Sequence, residues 1–140
     1  MLTERQRELA LYISSQPGGD GSPVLLELKP GALKDIGQVP NLEQQGILVV
    51  EVEDELNPTF SSAALNYSNG ELLITASETI QTGQGAIDLS KLFFVNESSQ
   101  VNTSLIGADV INDNGDTITI ILSEQLRVFA LLRSNTPGGG

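Results

Sequence analysis

The chain of 140 residues contains no cysteine, no histidine and no tryptophan. Without cysteine there is no disulfide framework, no thiolate metal site and no cysteine nucleophile. Without histidine the commonest general base, the usual zinc ligand and the Ser-His-Asp triad are excluded together. Aromatic residues make up only 4% of the chain, too few for the clustered rings on which sugars stack. No apolar run approaches the roughly 18 residues that a spanning helix requires, so direct membrane insertion is not expected. The segment after Met1 is charged and lacks the apolar core of a signal peptide; an exported protein would carry that signal elsewhere in a longer chain. Positive charge is scarce as well. Seven basic residues face eighteen acidic ones, and the net charge of −11 divides into −6 over residues 1–58 (ten acidic, four basic) and −5 over 59–140 (eight acidic, three basic). That balance leaves no basic footprint for nucleic acid.

What the chain does contain is a stretch that occurs twice. Residues 2–19 return, 120 positions on, as residues 122–139. Nine of the eighteen ungapped positions are identical: Leu2/Leu122, Glu4/Glu124, Arg7/Arg127, Ala10/Ala130, Leu11/Leu131, Ser14/Ser134, Pro17/Pro137, Gly18/Gly138 and Gly19/Gly139. Thr3 and Ser123 form a conservative tenth pair. The identities run past the helical part into the Pro-Gly-Gly tail, which chance similarity between two amphipathic helices would not produce. Self-similarity at a fixed offset marks a tandem array. The chain therefore reads as one period of about 120 residues plus the start of the next, with residues 1–57 the back part of one repeat and residues 58–140 the front part of the following one.

Within that frame the elements follow from local chemistry. Thr3 and Gln6 stand at capping-box spacing, Glu4 suits the positive end of a helix dipole, and Leu2, Leu9, Tyr12 and Ile13 form an apolar face at helical period. Pro17-Gly18-Gly19-Asp20-Gly21 ends that helix. Strands are expected at Val24–Leu28 and, after a connection from Pro30-Gly31 to Pro40-Asn41, at Ile47–Glu53. The acidic, proline-terminated run Asp54-Glu55-Leu56-Asn57-Pro58 is the expected junction. Beyond it, a strand from Phe60 to Tyr67 is joined through Asn69-Gly70 to a second at Glu71–Glu78. Gly83-Gln84-Gly85 breaks the chain; further strands are expected at Leu89–Val95, Leu105–Ile111 and Thr117–Leu122, the last running into the second copy of the helix. Short strands with frequent turn signals predict a mainly β fold, an immunoglobulin-like β-sandwich repeat with one short cross-over helix, cut out of phase with the domain.

The run Asn66 to Ile80, followed by Ile87-Asp88-Leu89-Ser90-Lys91-Leu92-Phe93, Leu105-Ile106-Gly107-Ala108 and Gly115 to Glu124, resembles the flagellar-system-associated repeat. That repeat belongs to very large surface proteins of swimming cyanobacteria and to related giant proteins of microbes and protists. Pro30 to Ile36 is similar to its closing part, so the resemblance covers nearly the whole chain. It implies a structural or adhesive role at a cell surface or in an appendage such as a flagellar hair. Its motifs are those of strands and turns and identify no catalytic residue.

Candidate sites are few. Glu51, Glu53, Asp54 and Glu55 are candidate calcium ligands, because hard carboxylate oxygens between consecutive sandwiches can bind calcium and stiffen an array. Asn112-Asp113-Asn114-Gly115-Asp116 gathers further oxygens, but it lacks an EF-hand glutamate and reads first as a hairpin turn. Asn66, Asn96 and Asn102 head three Asn-x-Ser/Thr sequons and are candidate glycosylation sites. Glu78 and Asp88 are carboxylates of the kind glycosidases pair, yet nothing fixes their separation, and no enzymatic activity is expected. No cofactor other than calcium is implied, and a small-molecule ligand is not expected. Two classes of function compete: a structural repeat of an extracellular filament, appendage or surface array, and a ligand-binding adhesin module that recognises a glycan or protein. The expected partners are neighbouring copies joined head to tail, because the strands of residues 2–54 are what the front part at 59–140 lacks.

Overall fold

Both helices begin where a hydroxyl can cap them. The Thr3 side chain accepts from the Gln6 amide, and the Gln6 side chain accepts from the Thr3 amide, which closes a capping box on α1 (Glu4–Tyr12). Ser123 likewise accepts from the Leu126 amide at the start of α2 (Glu124–Leu132). The computed structural model describes residues 1–83, 85–98 and 100–139. Gln84, read above as part of a chain break, lies outside the described residues. The protein is mainly β, with eight strands and two α-helices among the described residues. It divides into two units, Met1–Leu56 and Asn57–Gly140. No described helix is long and apolar enough to cross a membrane.

In the first unit α1 is followed by a two-stranded antiparallel ribbon, β1 (Leu25–Leu28) and β2 (Gln44–Leu48), with Leu25 opposite Leu48 and Leu26 opposite Ile47. The excursion between the strands is held by polar contacts. Asn41 accepts from the Leu33 amide and donates to the carbonyls of Lys29 and Leu42, and Lys29 pairs with Glu43 at 2.9 Å, which holds that carboxyl below its ordinary range. The second strand ends earlier than its β-branched run, Ile47–Glu53, predicts. The Val49 amide donates to the Val24 carbonyl, but the Val24 amide is drawn to the Glu51 carboxylate, and Pro23 beyond it has no N–H to offer. A side-chain acceptor and a missing donor thus stop the ladder.

The second unit is built on a four-stranded antiparallel sheet in the order β3 (Phe60–Asn66), β4 (Glu71–Ile80), β8 (Gly115–Ile121), β7 (Asp109–Val110). Register aligns Leu65, Leu72, Ile120 and Val110 across its four strands, with Ala63, Ile74 and Ile118 in the next row. These residues face one side because the side-chain period of a strand is two. A second antiparallel pair, β5 (Phe93–Asn96) with β6 (Val101–Ser104), contributes Phe94 to the same core. Leu122 and Leu126 bring α2 onto it, and Leu105 and Ala108 close it from the turn before β7. Ile120, at the centre of the first row, is fully buried.

Two strands differ from their expected spans. Leu89–Lys91 forms a 3-10 turn instead of extending the strand, because the Asp88 side chain accepts from the Ser90 amide and hydroxyl and caps it. That bonding, with a lesser contribution from Lys91, holds the Asp88 carboxyl below its ordinary range. The apolar run Leu105–Ile111 is interrupted by a turn closed from the Ala108 amide to the Leu105 carbonyl, with Gly107 at φ 92°. Only Asp109–Val110 of that run is strand, and the strand before it is the more polar Val101-Asn102-Thr103-Ser104.

Every buried hydrophobic side chain among the described residues belongs to the second unit; the first buries only Ser14. Truncating Ile120 to Ala therefore removes fully buried methyl groups and leaves a cavity, with an expected cost of about 2–5 kcal/mol. Leu48→Ala, on the exposed ribbon, is expected to change stability by less than about 0.5 kcal/mol. Urea unfolding of the two variants checks this; similar losses in both would show that the ribbon shares a core with the sheet.

Candidate functional site

The duplicated stretch keeps the same arginine–glutamate pair, serine bond and glycine turn in both copies. In each copy the arginine forms a two-pronged ion pair with the glutamate three residues earlier: Arg7 with Glu4 at 3.0 and 2.8 Å, and Arg127 with Glu124 at 2.8 and 2.6 Å. Each pair raises the arginine pKa, and Arg127 draws the Glu124 carboxyl below its ordinary range. The following serine then turns its hydroxyl back onto the helix, Ser14 to the Leu11 carbonyl at 2.6 Å and Ser134 to the Leu131 carbonyl at 2.7 Å. Gly18 and Gly138 take the left-handed backbone at φ 90° and 94°. A Cβ on Gly19 or on Gly139 would lie 2.1 Å from the carbonyl oxygen of Ser14 or Ser134, so no other residue fits the turn. The two glycines of the Pro-Gly-Gly tail are thus required by geometry in both places.

The surroundings of the two helices differ. In the second unit Leu126 and Ala130 are buried, and the third prong of Arg127 donates to the Tyr67 carbonyl at 2.8 Å. In the first unit the corresponding Gln6 and Ala10 are not buried, α1 buries none of its residues, and the third prong of Arg7 reaches Asp54 at 2.9 Å. The expected apolar face of α1 forms, but Leu2, Leu9, Tyr12 and Ile13 are all exposed.

Alongside α2 the second unit is open. A groove of about 290 Å³ is lined by Leu65 of β3 and Tyr67 just after it, Phe94 and Asn96 of β5, Phe129 of α2 and Arg133 at the end of that helix. Asn96 and Arg133 are engaged within the unit. The Asn96 side-chain amide donates to the Arg133 carbonyl at 2.8 Å, and the Arg133 guanidinium lies 3.8 Å from the centroid of the Phe129 ring. Sequence reasoning did not identify this groove, since its lining comes from three elements far apart in the chain. The alternation of Ala63, Leu65 and Tyr67 along and just beyond β3 is the one sequence signal for it.

The acidic run is distributed among internal roles. Glu51 accepts from the amide and hydroxyl of Ser15 and from the Val24 amide, which fastens the post-helix turn to the ribbon. Asp54 accepts from Arg7 and from the Leu56 amide, while Glu53 and Glu55 are exposed. The structure does not gather the four, and among the described residues no three acidic side chains converge as a metal site would need. In the Asn112–Asp116 turn the Asn112 oxygen accepts from the Thr119 amide and the Asn114 oxygen from the Thr82 amide. Asp88 is a cap, as described, and Glu78 lies half-buried at the far end of β4. Of the sequon asparagines, Asn66 and Asn102 are exposed, whereas Asn96 is half-buried at the groove.

Compared with known family models, curated proteins and solved structures, the chain matches none. Because Glu51 and Asp54 already commit oxygens to Ser15, Val24 and Arg7, melting curves in calcium and in chelator are expected to superimpose. A rise in melting temperature that follows the calcium concentration would instead establish the junction as an ion site.

Proposed function

We propose that this chain is a structural repeat of an extracellular filament, appendage or cell-surface array, in which immunoglobulin-like sandwiches follow one another head to tail. The observation that carries this reading is the duplicated helix and turn, which keeps its cap, ion pair, serine bond and two glycines at an offset of 120 residues. A turn so tightly specified marks the same point in two successive copies of one domain. One complete sandwich then consists of the second unit followed by the ribbon of the next copy. Its two layers would be the four-stranded sheet and the β5–β6 pair extended by β1 and β2. The resemblance to the flagellar-system-associated repeat supports the same reading and a cell-surface location, where glycans on Asn66 and Asn102 would project into solvent.

The groove gives the adhesin reading its one specific support. Ligand sites combine an apolar lining with convergent polar groups, but here Asn96, Arg133 and Ser134 are bonded to their own unit, and Leu65, Leu72, Phe94 and Phe129 make much of the remaining lining apolar. That composition suits a protein segment better than a sugar.

A polypeptide of three consecutive copies tests the array reading. Small-angle scattering is expected to show a rod whose length grows by a constant increment per copy, with denaturant unfolding that steepens as internal domains are completed. Beads of independent size with no steepening would contradict it.

A further inference from the structure

We propose that the groove of the second unit is the acceptor for the β1–β2 ribbon of a second copy of this chain, which adds to the free edge of β5 and closes over Leu65 and Phe94. The inference deepens the array reading and rests on the repeat order that reading uses.

The donor is an apolar element without a core. Leu26 lies opposite Ile47, and Val24 is bonded to Val49 two residues along each strand, so these four aliphatic side chains share one face of the ribbon. None of them is buried. An isolated two-stranded ribbon is marginally stable in water and gains stability by packing on another layer.

The acceptor lacks such a layer. The β5–β6 sheet has two strands, and the side of β5 away from β6 carries no partner strand among the described residues. A strand edge without a partner strand is a template for the addition of one. Beneath it lie Ala63 and Leu65 on the outer strand of the four-stranded sheet, and Leu65 and Phe94 pack on the core while still lining the groove.

Chain order selects this occupant. In the first unit, helix and turn lead directly into the ribbon, whose β2 side Glu51 ties back to Ser15 in that turn. The same helix and turn at residues 124–139 stand against the groove, through Phe129, Ala130 and Arg133. A ribbon taking its place after α2 therefore arrives at the element that lines the vacant layer. The contact joins different surfaces of two copies, so it is heterologous and extends as an open chain.

The test uses the full chain and three single substitutions at positions that are not buried: Leu26→Lys on the donor, Ala63→Lys in the acceptor, and Val128→Lys on α2 outside the groove. Light scattering and sedimentation are expected to show the unsubstituted chain and V128K growing in mass with concentration. L26K and A63K alone should remain monomers with unchanged circular dichroism. Mixed together they should form a complex that stops at twice the 14.9 kDa monomer mass, because A63K keeps a working donor and L26K a working acceptor. A monomer at every concentration, growth unaffected by L26K and A63K, or a mixture that stays monomeric would overturn the proposal. If three linked copies form a rod while the single chain stays monomeric, the array reading survives and this inference fails.

Discussion

The structure depends on where apolar side chains can be covered. Leu65, Leu72, Ile120 and Val110 form one continuous row because four strands of the second unit align them, and α2 and β5 close over that row. At roughly 25 cal/mol per Å² of apolar surface removed from water, such a row holds a small unit together. The first unit has aliphatic residues in comparable number but no second layer, and its order comes from ion pairs and side-chain bonds at Arg7, Asn41 and Glu51. Exposed pairs of that kind contribute about 0–1 kcal/mol each. The two units thus differ in what stabilises them far more than in their sequence character.

The duplicated helix makes this contrast concrete. The hydroxyl cap, the arginine–glutamate pair and the serine bond are the same in both places, so they are local properties of the sequence. Burial is not: Ala130 is buried and Ala10 is not. The replacement of Leu126 by Gln6 in the earlier copy improves the capping box at a position that in the later copy anchors the helix to the core. In the proposed array, each helix stands between the sheet that precedes it and the ribbon that follows it, and its glycine turn fixes the direction in which the chain leaves.

Much of the second unit was legible in the sequence, because alternating isoleucine and threonine at Thr117–Ile121 and the turn at Asn69-Gly70 report their own conformations. The repeat was legible for the same reason, since Gly19 and Gly139 are sterically compulsory. Spans that depend on competition were not. Whether Val49–Glu53 continues a strand is decided by the Glu51 carboxylate capturing an amide 27 positions away, and the polar strand Val101–Ser104 exists only because β5 pairs with it. The carboxylates of the acidic run looked available for an ion because their partners, Arg7, Ser15 and Val24, are distant in the chain. The groove was hidden for a related reason: no single segment contains it.

The central claim is that one repeat runs from the second unit into the ribbon of the first. A re-phased polypeptide, residues 57–139 followed directly by residues 20–56, places those parts in one chain in that order. Amide hydrogen exchange at Leu25–Leu28 measures the outcome most directly. Protection rising to that of Leu72 and Ile120, with a single cooperative unfolding transition, is the predicted result. Exchange at Leu25–Leu28 as fast as in the 140-residue chain at concentrations where it is monomeric would contradict it.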